Sequence, residues 1–206
     1  VVEGRRYNTA ANNYTFNVEL RGNTPPVPLA GDPMTLGQLV TGAISASGEL
    51  DRFVFTLDAP TLVAFDSRQN TPVQWSLAGP RGTVVANRSL QGSDAFDGYP
   101  VLSLVAGTYQ ITMGSSTGSY AFVLHDLATA TPIASGGDFA GTLSPGNESD
   151  LWRFSALAGE RFYFDVTTPN SGNGTWRIID PFGREVVTQG LNTDIGARTL
   201  PHTGTY

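Results

Sequence analysis

The run Gly48-Glu49-Leu50-Asp51-Arg52-Phe53-Val54-Phe55 returns later in the chain as Asn147-Glu148-Ser149-Asp150-Leu151-Trp152-Arg153-Phe154. In each copy an acid, an aromatic and a phenylalanine stand two places apart: Asp51, Phe53, Phe55 and Asp150, Trp152, Phe154. Alternate residues of an extended chain share a face. Both copies therefore read as a strand whose apolar face begins at a carboxylate.

The match extends in both directions. Gly42-Ala43-Ile44 precedes the first copy and Gly141-Thr142-Leu143 the second. Trp75-Ser76-Leu77-Ala78-Gly79-Pro80-Arg81-Gly82 follows the first, and Trp176-Arg177-Ile178-Ile179-Asp180-Pro181-Phe182-Gly183 the second. Gly107-Thr108-Tyr109 closes the first series and Gly204-Thr205-Tyr206 the second. Matched blocks in one order are the mark of a duplicated unit. The first copy continues to Gly118-Ser119-Tyr120-Ala121-Phe122. The matching piece of the second copy stands at the other end of the chain, from Val1-Val2-Glu3-Gly4 to Tyr14-Thr15-Phe16. The sequence thus reads as a ring cut inside one sheet. The expected organisation is a strand segment over residues 1–22, a first module over 23–128 and a second over 129–206 that lacks its last strands. Residues 1–22 are expected to complete an adjacent module or the second one.

Period-two alternation predicts strands over residues 14–20, 52–57, 62–66, 73–78, 109–113, 120–124, 151–155, 161–166, 175–179 and 185–188. Gly79-Pro80-Arg81-Gly82 and Asp180-Pro181-Phe182-Gly183 have hairpin-turn chemistry. Only residues 36–40 and 191–197 are expected to offer a short helical turn. Regular short strands without crossover helices predict an all-β chain, two tandem antiparallel β-sandwiches of jelly-roll type. Thr24-Pro25-Pro26-Val27-Pro28 reads as a stiff spacer, and Thr129-Ala130-Thr131-Pro132-Ile133 as a second lead-in.

Composition narrows the function. The 206 residues contain 24 Gly and 13 Pro, which suits many turns, and no Cys, which removes disulfide and thiolate chemistry. Net charge is −6, and every one of the 12 basic residues is Arg. An acidic chain without a basic stripe is a poor partner for nucleic acid or anionic lipid. No run is long enough to span a membrane. Val1-Val2-Glu3-Gly4 does not resemble a secretion signal, so a secreted chain would carry its signal outside this sequence.

The Asp-x-(Phe/Trp)-x-Phe strand, the Trp…(Gly/Asp)-Pro-x-Gly hairpin and the Gly-Thr-Tyr strand start together resemble the bacterial pre-peptidase C-terminal (PPC) domain family. The resemblance implies a jelly-roll-like sandwich of about a hundred residues in a secreted protein, beside a peptidase or in a surface array. It also implies collagen or calcium binding in some relatives. No peptidase unit is visible in this sequence.

Neither His125 nor His202 stands in a nucleophile or zinc-protease pattern, and no enzyme is expected. The pairs Glu49/Asp51 and Glu148/Asp150 recur at one place in each copy. Each pair could offer two carboxylates to a calcium ion, with Asp32 and Asp138 as further ligands. The competing reading makes Asp51 and Asp150 turn caps. Trp75 and Trp176, matched and mid-strand, are expected in the core. Tyr7, Tyr14 and Tyr99 are the aromatics expected to be free for a ligand. The expected function is a structural unit of an extracellular bacterial fibre or surface array, joined to identical neighbours by strand complementation. Val1, Val2, Tyr14 and Phe16 are its expected apolar anchors, with Arg5 and Arg6 as rim charges. The alternative is a non-catalytic module that binds a polysaccharide or protein, with calcium as its candidate ion.

Overall fold

The computed structural model describes residues 10–11, 13–19, 28–92, 99–168 and 174–206. The expected all-β architecture is what it shows. The N-terminal half contributes β1 (Asp32–Pro33), β2 (Leu39–Ile44), β3 (Asp51–Leu57), β4 (Thr61–Ser67), β5 (Gln74–Gly79), β6 (Gly82–Ser89), β7 (Val101–Leu104), β8 (Gly107–Gly114) and β9 (Gly118–Asp126). These form a five-stranded sheet in the order β1-β3-β8-β5-β6 and a four-stranded sheet in the order β2-β9-β4-β7. Every pair except β1–β3 is antiparallel.

Alternation decides which side chains meet between the sheets. Tyr109, Ile111 and Met113 of β8 face Tyr120, Phe122 and Leu124 of β9 in one buried cluster. At its centre Phe65 stacks on Trp75, ring centroids 3.8 Å apart and planes within 5°. Strand β4 is buried on both faces from Val63 to Ser67, and β9 from Tyr120 to Leu124. A two-sheet sandwich leaves its outer faces to water, so something else covers this one.

The C-terminal half provides that cover. It contributes β10 (Thr131–Pro132), β11 (Trp152–Arg153), β12 (Ser155–Ala156), β13 (Arg161–Phe164), β14 (Thr175–Ile179), β15 (Glu185–Gly190), β16 (Gly196–Thr199) and β17 (Gly204–Thr205). Among the described residues they pair two by two: β10–β11, β12–β17, β13–β16 and β14–β15. Their hydrophobic cluster shares no residue with the first.

The repeated motifs have repeated physical jobs. Tyr109 donates its hydroxyl to Val105 O, and Tyr206 donates to His202 O, both at 2.9 Å and four residues back. Tyr109 stacks on Phe55 and Tyr206 on Phe154. Gly107 and Gly204 start these strands at φ +141° and +153°, with Pro80 and Pro181 lying where a Cβ would project. The Gly-Thr-Tyr and (Gly/Asp)-Pro motifs therefore recur together because the hairpin proline packs on that glycine.

Several local expectations need correction. Residues 13–19 carry no strand. Residues 36–40 turn directly into β2, and residues 191–197 make a turn leading into β16, so neither is helical. The short helical turns are Leu90–Gly92 and Leu127–Thr129. The second lead-in is no free spacer: its Thr131 and Pro132 pair in parallel with Trp152 and Arg153, as Asp32 and Pro33 pair with Phe53 and Val54. Among the described residues no helix is long and apolar enough to cross a membrane.

Candidate strand-acceptor site

Strand β9 shows what the N-terminal half needs to close. It lies between β2 and β4, with Gly42 opposite Tyr120 and Phe65 opposite Leu124. Tyr120 crosses the face of Gly42, within contact distance of any Cβ placed there. Its hydroxyl donates to Asp51 Oδ2 at 2.5 Å. Burial, followed by the hydrogen bond and charge of Asp51, pushes the Tyr120 phenol far above its ordinary range. Phe53 meets the rings of Tyr120 and Phe122 edge-on, at 6.2 and 5.9 Å.

The C-terminal half has a counterpart of one neighbour, β4, but among the described residues no counterpart of β9 itself. Strand β13 matches β4 and pairs with β16 as β4 pairs with β7; its other edge has no partner among the described residues. Residues 138–143, which match β2, carry no strand. A β2-type strand pairs only with a β9-type strand, so it cannot form alone. The core stays open on this side: Phe154, Phe162, Phe164 and Trp176 are only partly buried. Trp152, the match of Phe53, is 40% exposed and touches Phe139 at 6.0 Å. Asp150 and Gly141, the matches of Asp51 and Gly42, line an open cleft of about 320 Å³ with Trp152. Asp150 Oδ2 lies 2.6 Å from where a Gly141 Cβ would stand.

Residues 13–19 hold the complementary pattern. Tyr14, Phe16 and Val18 are 67%, 68% and 84% exposed, and the Tyr14 and Phe16 rings stack on each other at 6.2 Å. Val1, Val2, Arg5, Arg6 and Tyr7 lie outside the described residues.

The turn-cap reading of Asp51 needs correction. Glu49, not Asp51, caps the turn: its Oε2 accepts from Ser45 N and Ala46 N at 2.6 and 2.8 Å. Glu148 repeats this with Ser144 N at 3.1 Å. Asp51 instead holds the Tyr120 hydroxyl. Asp32 lies in β1 and Asp138 in the unpaired segment after Gly137, so the two occupy different places in the two halves. Among the described residues no three His, Asp or Glu side chains converge on a metal position. Trp75 is buried as expected; Trp176 is only partly so.

A polar junction between the halves escaped the sequence reading. Asp66, on the outer face of β4, is fully buried. It accepts from Arg68 Nε at 2.6 Å and from Ser149 N at 3.1 Å, and lies 3.3 Å from His125 Nε2. Arg68 Nη1 reaches on to Glu148 at 2.9 Å, and Asn147 Nδ2 donates to Ser67 O at 2.8 Å. A second contact joins Tyr99 to the 180–183 turn: its hydroxyl donates to Gly183 O, and Arg177 lies over its ring at 5.3 Å. Tyr99 is therefore an inter-half contact rather than a free aromatic. His202 sits against Phe182 and Arg184 in the same turn region. The one available signal for Asp66 was an acid closing the apolar run Leu62-Val63-Ala64-Phe65.

Fold and edge together define a β-sandwich protein with two hydrophobic clusters, one closed and one that among the described residues has an open strand position. Comparison with protein-family models and with curated proteins gave no match.

Proposed function

We propose that this chain is a structural repeat unit of an extracellular bacterial fibre or surface array, built from two PPC-like sandwich modules joined end to end by strand complementation. The observation that carries this reading is the edge of β13, unfilled among the described residues, beside a half-open aromatic core. The chain also exposes a segment with the alternation such an edge takes. Unpaired strand edges recruit strands. Backbone ladder bonds and alternate side-chain pockets are the recognition mode of β-augmentation. The neighbour is an identical subunit or repeat, and no catalytic step is proposed. The Asp66 junction supports a structural role by tying the two halves through buried polar groups.

The test is the mass of the purified chain against concentration, by sedimentation and light scattering. Oligomers should grow with concentration, and deleting residues 1–20 should leave monomers. A monodisperse full-length monomer at high concentration would refute the reading.

A further inference from the structure

We infer that the register of assembly is set by a three-residue lock, in which Tyr14 of one copy lies across Gly141 of the next and donates its hydroxyl to Asp150. This rests on the strand-complementation reading and adds the partner segment, the register and the residues that select it.

The N-terminal half supplies the template. Tyr120, Gly42 and Asp51 interlock there: the glycine gives the phenol room, and the carboxylate accepts its hydrogen bond at 2.5 Å. The C-terminal half has two members of the set, Gly141 and Asp150. Asp150 leans over Gly141 into the space that Tyr120 fills beside Gly42. The third member is in residues 13–19. Tyr14-Thr15-Phe16-Asn17-Val18 follows Tyr120-Ala121-Phe122-Val123-Leu124 position by position.

The register then follows from the observed ladders. Gly42 opposite Tyr120 places Gly141 opposite Tyr14. Asp66 opposite Val123 places Asp165 opposite Asn17, and Phe65 opposite Leu124 places Phe164 opposite Val18. The faces agree with this alignment. Tyr14, Phe16 and Val18 would enter the open core, and Tyr14 and Phe16 would cover Trp152 as Tyr120 and Phe122 cover Phe53. Thr15 and Asn17 replace Ala121 and Val123, whose outward faces are buried under the junction. Asp165 and Tyr163, beside them, are exposed. The outer face of the completed sheet is thus polar where the N-terminal sheet is apolar. A slip by one residue would bury Asn13, Thr15 and Asn17. A slip by two would leave the Tyr14 hydroxyl without its carboxylate. The occupant is a second copy, because the chain's own residues 13–19 lie exposed and outside the slot.

The chain has no cysteine, so engineered pairs report register cleanly. Full-length Asn17→Cys and Asp165→Cys chains, mixed and oxidised, should form a disulfide between chains. Asn17→Cys with Tyr163→Cys, slipped by two, should form little. Tyr14→Phe should raise the concentration needed for assembly about tenfold, the scale of one lost hydrogen bond to a charged acceptor. Gly141→Ala should block assembly. Both positions are exposed in the single chain, so both variants should melt as the parent does. Assembly with equal cross-linking at 163, or with Tyr14→Phe and Gly141→Ala at the parental concentration, would overturn the lock and leave strand complementation standing. A disulfide within one doubly substituted monomer, or no assembly at all, would overturn both.

Discussion

Replacing Asp66 by alanine should loosen the two halves from each other, and the geometry sets the scale. The carboxylate is fully buried and serves Arg68 Nε, Ser149 N and His125 Nε2. Alanine leaves the Ser149 amide without its acceptor, a loss of about 1–3 kcal/mol. Arg68 loses its nearest anion but keeps Glu148 at 2.9 Å. That holds its share below the roughly 3–5 kcal/mol typical of a broken buried pair. The total is about 3–4 kcal/mol, which lowers a urea midpoint by about 1–2 M at ordinary slopes. Asp66→Asn keeps an oxygen for Ser149 and should lose about half as much. The assay is urea unfolding followed by tryptophan fluorescence, with amide exchange at Ser149 as the local probe. Faster Ser149 exchange and a lower midpoint, larger for alanine than asparagine, are expected. An unchanged midpoint, or equal effects of the two variants, would show that the junction is not held by this carboxylate.

Four other outcomes follow from the same structure. Trp75→Ala should cost about 3–5 kcal/mol, because Trp75 is sealed against Phe65; Trp176→Ala should cost clearly less in the unassembled chain, since its core is open, and the gap should narrow on assembly. Tyr120→Phe should lose about 1.5–3 kcal/mol with the Asp51 bond. The raised Tyr120 pKa means its stabilisation is full below about pH 10 and is lost as pH rises further, so the variant should show a shallower alkaline unfolding limb. For Asp180, burial alone would raise the carboxyl, but N–H bonds from Arg184 and Phe182 and the Arg184 guanidinium outweigh it and hold the pKa low. That stabilisation is present above about pH 4 and fades as pH falls through the lowered pKa; Asp180→Asn should flatten the acid limb in a pH-dependent melt. Chelator should leave the melting temperature within about 1 °C, since no three acidic or histidine side chains converge among the described residues; an ion bound to the folded state alone raises stability with the logarithm of its free concentration, so a clear drop would establish a cation.

Much of this was legible in the residues, and each miss has a physical cause. Alternation at Tyr109–Met113 and Tyr120–Leu124 named the sandwich strands, because period two and burial are local properties of an extended chain. The matched Gly-Thr-Tyr and Pro-Gly blocks named the repeat, since each copy needs the same proline on the same glycine. Residues 13–19 have a strand's pattern but no strand, because a ladder needs a partner edge that the pattern cannot supply. The turn cap expected of Asp51 falls to Glu49, because the Ser45 and Ala46 amides and the Tyr120 hydroxyl reach these carboxylates only after folding.

The amino-acid order by itself determined the strand class, the repeated motifs and which faces are apolar, all of which depend on spacing a few residues wide. Tertiary structure alone decided that Asp66 is interior, that Tyr99 belongs to a joint, and that one core is sealed while the other, among the described residues, has an open edge. Those outcomes depend on which surfaces distant segments bring together, and burial of a polar atom is settled by the neighbour that arrives to pair with it.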